Sequence, residues 1–117
     1  MQPGAPCNAC HQQLGGPALR LAGTVYPTLH EVDQCNGSRS PTLEVVVTDK
    51  NNVEHKMLVN DAGNFLWTMT TVPAPFRARV TDGTRTRAML GSVTSGDCNS
   101  CHTQAGKNGA PGRIVAP

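Results

Sequence analysis

The sequence predicts a mainly β protein, a small antiparallel β-sandwich of six or seven strands flanked by two terminal segments. Two observations lead to this fold class. The chain of 117 residues contains 12 Gly and 9 Pro but only 15% charged residues, a composition that suits turn-rich β structure better than helical bundles. Short runs rich in β-branched residues also recur between turn residues throughout its middle. Because only 38% of the residues are hydrophobic, we expect a modest core that a cofactor, a metal or disulfides would help to stabilise.

Six strands are predicted in order between the two ends of the chain. The first ends at Pro27, and the second is rich in valine, which favours extended backbone. Polar turns precede and follow the third strand, and a Pro-rich stretch interrupts the chain before the fifth. The predicted strands cover residues 20–26, 43–48, 53–59, 65–69, 76–80 and 85–90. The chain is therefore divided into an N-terminal segment (1–19), a β-sandwich (20–92) and a C-terminal segment with a tail (93–117).

The turn at Asp82-Gly83 determines which side chains of the last hairpin share a face. A two-residue loop would place Arg85 and Arg87 on the same face as the apolar residues of the preceding strand. A three-residue loop with Gly83 left-handed would shift the register by one residue. We predict the second register, because it gathers four arginines on the outer face as a basic stripe: Arg77, Arg79, Arg85 and Arg87. Such a stripe is either a solvated face or a surface that pairs with the propionate groups of a bound cofactor or with an acidic partner.

Two copies of one cysteine pattern lie near the two ends of the chain. They read Cys7-Asn8-Ala9-Cys10-His11 and Cys98-Asn99-Ser100-Cys101-His102. Each is a C-x-x-C-H motif, the attachment signature of haem c. Thiols at this spacing reach the two vinyl groups at one porphyrin edge, and the next residue supplies an imidazole to the iron. The sequence predicts two haem c groups per chain, with thioethers from Cys7, Cys10, Cys98 and Cys101 and proximal ligands from His11 and His102.

Other uses of the cysteines remain open. Two C-x-x-C pairs can form a four-thiolate zinc site, disulfides or a redox-active pair. None of these requires a histidine after both pairs, and zinc ribbons usually bring their pairs within about 15–20 residues. The fifth cysteine, Cys35, lies in a turn-rich loop. We expect a small buried side chain there, with an intermolecular disulfide or a reactive thiol as alternatives.

The remaining histidines match the number of distal ligands that two low-spin haems need. The chain has four histidines, and two are proximal by motif. His30 and His55 are left, so the sequence predicts two bis-His sites. Each of them could instead be a histidine without a metal. The rival axial ligands rank lower because a methionine in a strand is more often core filler: Met57, Met69 and Met89.

The chain resembles two known families. The middle resembles a carboxypeptidase-regulatory-like domain, a transthyretin-like sandwich, whereas the terminal motifs resemble multihaem c-type cytochromes. Together these resemblances imply a secreted electron carrier with a β-sandwich spacer, exported to the periplasm or the cell exterior. The middle resemblance rests on the sequences of residues 23–26, 43–48 and 59–65.

Haem clamped by two imidazoles passes single electrons and does not readily bind O₂. We therefore expect an electron-transfer protein and not an enzyme. The alternatives are a haem enzyme or sensor with an open iron site and a secreted binding module stabilised by zinc or disulfides.

A net charge of +2 gives no indication of nucleic-acid binding, and no apolar run is long enough to span a bilayer.

The parity of the strand count decides between two forms of electron carrier. An odd number of up-and-down strands would separate the two haem motifs and favour head-to-tail polymerisation into an extracellular cytochrome filament, a nanowire. An even number would bring the motifs together and favour a soluble periplasmic shuttle. The expected partners are accordingly other copies of the chain, other redox proteins or extracellular electron acceptors. With six or seven strands predicted, the sequence leaves this choice open.

Overall fold

The computed structural model describes residues 4–6, 20–32, 37–38, 42–68 and 70–117. Each of the six strands expected from the sequence is present, and a seventh follows near the end of the chain. The strands are β1 (Leu21–Tyr26), β2 (Glu44–Thr48), β3 (Glu54–Leu58), β4 (Asn64–Trp67), β5 (Arg77–Thr81), β6 (Thr86–Ala88) and β7 (Ile114–Val115). One 3-10 turn, Cys98–Ser100, lies between β6 and β7.

The strands form two sheets of a small β-sandwich. The larger sheet has the order β3-β2-β5-β6, and all of its neighbours are antiparallel. The smaller sheet has the order β4-β1-β7, in which β4 is antiparallel and β7 parallel to β1. The fold class expected from the sequence is therefore confirmed. Among the helical segments of the described ranges, none is both long and apolar enough to cross a membrane.

The core lies between the two sheets and follows the alternation of the strands. In β3, His55 and Met57 are buried while Glu54 and Lys56 are exposed, because successive side chains point to opposite faces. The smaller sheet contributes Phe65 and alternate residues of β1. The buried apolar cluster contains Leu21, Val25, Leu43, Val45, Val47, Met57, Val59, Phe65, Phe76 and Val80.

Two local turns fix the ends of β3. The Asp49 carboxylate accepts hydrogen bonds from the backbone N–H groups of Asn51 and Val53 at 2.8 and 3.1 Å. Asn60 does the same for the N–H groups of Ala62 and Asn64 at 3.0 Å each. Asp and Asn side chains favour such turns because they bond to the backbone a few residues further along. These turns are the reason that β3 begins and ends where its sequence indicated.

The predicted register of the last hairpin is wrong. Val80 lies opposite Arg87, and Thr81 lies opposite Thr86, so the loop contains two residues, Gly83 and Thr84. Gly83 has a φ of +93°, and glycine at the first central position is the requirement of a type II′ turn, whose twist suits a hairpin. The preference for a two-residue turn is therefore stronger than the tendency to place all four arginines on one face, on which the prediction was based.

The correction removes the predicted four-arginine stripe. Directly opposite residues of an antiparallel pair share a face, so Arg87 lies on the face of Val80 and not with Arg79. Arg79 lies on the outer face of the sheet and forms an ion pair with Glu54 at 2.8 Å. This pairing holds the pKa of Glu54 below its usual value. The outer face is consequently mixed in charge.

β1 is buried on both faces, which is unusual for a strand of a two-layer sandwich. All six of its residues are buried. One face packs into the core, and residues from the two ends of the chain cover the other. The N–H of Gly4 donates to the Thr24 hydroxyl at 2.9 Å, and the Arg113 guanidinium lies 4.5 Å from the centre of the Tyr26 ring. β1 is therefore the element on which the terminal segments meet.

Candidate functional site

The second C-x-x-C-H motif folds as one tight turn beside β1. The C=O of Asp97 accepts hydrogen bonds from the N–H and the hydroxyl of Ser100 at 3.0 and 2.7 Å. The C=O of Cys98 then accepts from the N–H groups of Cys101 and His102 at 3.3 and 3.0 Å. These bonds place two thiols and one imidazole on a single turn, which is the arrangement that attachment of a porphyrin requires.

Both cysteines of this motif are partly exposed. Cys98 packs against the core cluster, and its approach to β1 depends on Gly23. A Cβ at Gly23 would lie 3.0 Å from the Cβ of Cys98 and 2.6 Å from the Cζ of Phe65. The Asn108 amide lies 3.6 Å from the sulfur of Cys101.

Asn99, between the two cysteines, joins the motif to β1 and to the N-terminal segment. Its side chain is almost fully buried at 2% exposure. Its Oδ1 accepts from the N–H of Thr24 at 3.0 Å. Its Nδ2 donates to the Thr24 hydroxyl at 3.0 Å and to the C=O of Ala5 at 2.9 Å. Ala5 precedes Cys7 by only two residues, so the chain enters the first motif from a point held against the second.

Two of the predicted iron ligands contact one C-terminal loop, residues 103–113. The Nδ1 of His102 lies 2.9 Å from the C=O of Gly112, and the Nδ1 of His30 lies 2.7 Å from the C=O of Gln104. Because a carbonyl only accepts, Nδ1 is the donor in both rings, and Nε2 is the nitrogen left to accept or to bind a metal when the ring is neutral. Metal-binding histidines commonly have this arrangement.

The loop that carries His30 is fixed by Arg113. The backbone N–H of Arg113 donates to the C=O of Leu29 at 2.7 Å, and its Nε donates to the C=O of Glu31 at 3.1 Å. Arg113 is therefore hydrogen-bonded to the residues on both sides of His30 in the chain. Two apolar side chains of this loop face outward, Leu29 at 37% and Val32 at 67% exposure. An apolar ring placed beside His30 could cover them.

His55 lies elsewhere in the molecule. It is buried on the inner face of β3, where its Nε2 bonds to the Asp49 carboxylate at 2.9 Å and its ring meets Trp67 edge-on at 5.1 Å. This hydrogen bond is the main cause of the lowered pKa of Asp49. Trp67 pairs with Leu21 at the start of β1, whereas the His30 loop leaves from its end. The structure therefore brings His30 and His102 to one loop, residues 103–113, whereas His55 lies apart from it. The roles of all three histidines as ligands stay predictions.

The first motif and the odd cysteine lie outside the described residues. This applies to Cys7, Cys10, His11 and Cys35, and also to Met69. The roles assigned to these residues stay predictions from the sequence. Of the other rival ligands, Met57 is a buried core residue and Met89 is half-buried at the end of β6.

The residues around the second motif fit a covalently attached haem. The motif supplies two cysteine side chains on one turn, and two histidines, His30 and His102, bond to carbonyl groups through Nδ1, so that Nε2 is not used in these bonds. No cluster of three or more His, Cys, Asp or Glu side chains suited to a metal ion occurs in the described part of the chain. A haem iron takes four ligands from its porphyrin, so it needs only two imidazoles from the protein.

Comparison with known proteins gives no further assignment. No protein-family model, no curated protein and no solved structure matches this chain. The resemblances to transthyretin-like sandwiches and to multihaem cytochromes therefore stay predictions from the sequence.

Three residues that shape this site were not singled out from the sequence: Asn99, Gly112 and Arg113. For Asn99 there was a signal, because the second position of both motifs is asparagine. A polar residue repeated inside two attachment motifs suggests a shared structural role. For Gly112 and Arg113 no local signal exists, since their contacts with residues 29–31 bridge about 80 positions of the chain.

Proposed function

We propose that this chain is a dihaem c-type cytochrome that transfers single electrons. The observation that carries the proposal is the second motif, where two thiols and an imidazole with a carbonyl-bonded Nδ1 share one turn. When bound, haem supplies a one-electron iron couple. The chain itself supplies the tether through Cys98 and Cys101 and the orientation of the His102 ring through Gly112.

Both haems of one chain are proposed to lie side by side. Within the described residues six strands lie between the two motifs, because β7 follows the second motif, and an even number favours motifs that lie together. The hydrogen bond from Asn99 to Ala5 supports this, since Ala5 lies two residues before Cys7 of the first motif. An intrachain pair favours a shuttle that exchanges electrons with other redox proteins. Head-to-tail assembly into a filament stays a prediction, and so does export to the periplasm or cell exterior.

The experiment that tests the function is a count of covalent haems. We expect the natively produced protein to have a Soret band and, after denaturation, a mass two haems above that of the polypeptide. The paired variants Cys7→Ser/Cys10→Ser and Cys98→Ser/Cys101→Ser should each lose one haem and keep the other. A colourless native preparation would overturn the proposal and leave the zinc- or disulfide-stabilised module. Carbon monoxide binding by the reduced native protein would favour the enzyme or sensor with an open iron site.

A further inference from the structure

We propose that His30 and His102 ligate the same iron, that of the haem attached to Cys98 and Cys101. This assignment rests on the proposed function and goes beyond it, because the sequence pattern does not pair distal with proximal ligands. If His30 serves the second motif, the haem at the first motif takes its distal ligand from another residue.

Gly112 is the point at which the two histidines meet. Its C=O accepts the hydrogen bond from Nδ1 of His102. A Cβ built on Gly112 would lie 3.2 Å from the Cε1 of His30 and 2.5 Å from the C=O of Leu29. The C=O of Gly112 thus contacts the ring of His102, and the space that a side chain of Gly112 would occupy is already filled by the loop and ring of His30. A residue larger than glycine would clash with the C=O of Leu29 at this position.

The two rings are also held in the same chemical state by the same loop. Gln104 and Gly112 provide the two carbonyl groups, and each accepts a hydrogen bond from the Nδ1–H of one ring. The lone pair therefore lies on Nε2 in each ring, and Nε2 is the nitrogen that binds iron when Nδ1 is bonded in this way. A loop that orients both imidazoles is suited to setting two axial ligands against one ring.

His55, the other candidate, has the opposite arrangement. Its Nε2 is occupied by the Asp49 carboxylate, and its ring is enclosed between β3 and Trp67. To reach the second motif it would have to leave the core of the sandwich. His30 is exposed and already in contact with the loop that bonds to His102. The geometry therefore selects His30 as the partner of His102.

The test uses the Cys7→Ser/Cys10→Ser variant, which keeps only the second attachment motif. We expect its single ferric haem to be six-coordinate and low-spin by electron paramagnetic resonance and visible spectroscopy. Adding His30→Ala should convert this haem to the high-spin form, let the ferrous form bind carbon monoxide, and make it responsive to added imidazole, which should restore the low-spin spectrum. Because His30 is exposed, this substitution should leave the fold intact.

The matched control is His55→Gln in the same background. Glutamine can still donate to Asp49, so this variant keeps the core contact while removing the imidazole, and its haem should stay low-spin. A low-spin haem in the His30→Ala variant, or a high-spin haem in the His55→Gln variant, would overturn the pairing alone. A Cys7→Ser/Cys10→Ser protein without any haem would overturn the proposed function at this motif as well.

Discussion

Asn99 shows how one side chain can join the second C-x-x-C-H motif to the segment that leads into the first. Its amide has both a donor and an acceptor, and it uses them on the backbone and hydroxyl of Thr24 and on the C=O of Ala5. A buried polar group that loses its partner costs about 1–3 kcal/mol. Asn99 is therefore a residue whose removal should affect both β1 and the entry to the first motif.

We expect Asn99→Ala to lower the free energy of unfolding by about 1–3 kcal/mol, because it leaves buried backbone groups without partners. Chemical denaturation of the purified protein measures this loss. The amide of Thr24 should also exchange its hydrogen faster than in the unaltered chain. Asn51→Ala is the matched control, since Asn51 is exposed, and it should leave both measurements unchanged. An equal loss in the two variants would contradict the role assigned to Asn99.

Asp82 gives the last hairpin a dependence on pH. The N–H groups of Arg85 and Thr84 donate to its carboxylate at 2.7 and 2.8 Å, and they lower its pKa from the ordinary value of 3.8. Because the folded pKa is the lower one, the stabilisation is present well above pH 3.8 and is lost as the pH falls through the folded pKa.

Nuclear magnetic resonance can follow this titration at the amides of Thr84 and Arg85. Their shifts should report a midpoint below 3.8, and in Asp82→Asn this titration should disappear. A midpoint at or above the ordinary value would show that the hairpin does not stabilise the charged carboxylate.

At the scale of the elements, β1 depends on a close approach that only glycine permits. The Gly23→Ala variant would bring a Cβ within 2.6 Å of Phe65 and 3.0 Å of Cys98. Overpacking of this kind costs about 1–3 kcal/mol, and here it should also displace Cys98 and reduce the fraction of chains with haem at the second motif. Denaturation and peptide mass analysis measure the two effects.

Gly91→Ala is the control for this variant, because a Cβ at Gly91 has no atom of the described structure within 4 Å. It should have normal stability and haem content. If Gly23→Ala behaves in the same way, the packing of Cys98 against β1 does not control attachment.

The same elements show what could be predicted from the sequence. The ends of β3 were predictable because Asp49 and Asn60 form their turns through bonds to nearby residues. The hairpin register was not, because it depends on whether Gly83 belongs to a two- or a three-residue loop. β7 was not predicted either, since only its pairing with β1 gives Ile114 and Val115 a strand conformation. Turns formed by nearby residues could thus be predicted from the sequence, whereas pairing between distant segments could not.

At the scale of the whole molecule, both ends of the chain meet on the outer face of β1. This places the residue that precedes the first motif against the second motif. The sequence predicts both motifs but not whether they lie close together, because it left the number of strands between six and seven. An intrachain pair of haems predicts electrostatic coupling between the two irons.

We expect reduction of one haem to shift the midpoint potential of the other. Two unit charges about 10–15 Å apart interact by about 1–2 kcal/mol at an effective dielectric constant of 20, which equals about 40–90 mV for a one-electron couple. Potentiometric titration of dilute protein should give two waves that are further apart than the midpoints of the two single-haem variants, Cys7→Ser/Cys10→Ser and Cys98→Ser/Cys101→Ser. The shift should not change on dilution, because the proposed haem pair is held within one chain. A native titration equal to the sum of the two variants would show that the two haems do not interact, and a coupling that disappears on dilution would show that the interacting haems belong to different chains. Either result would contradict the intrachain pair.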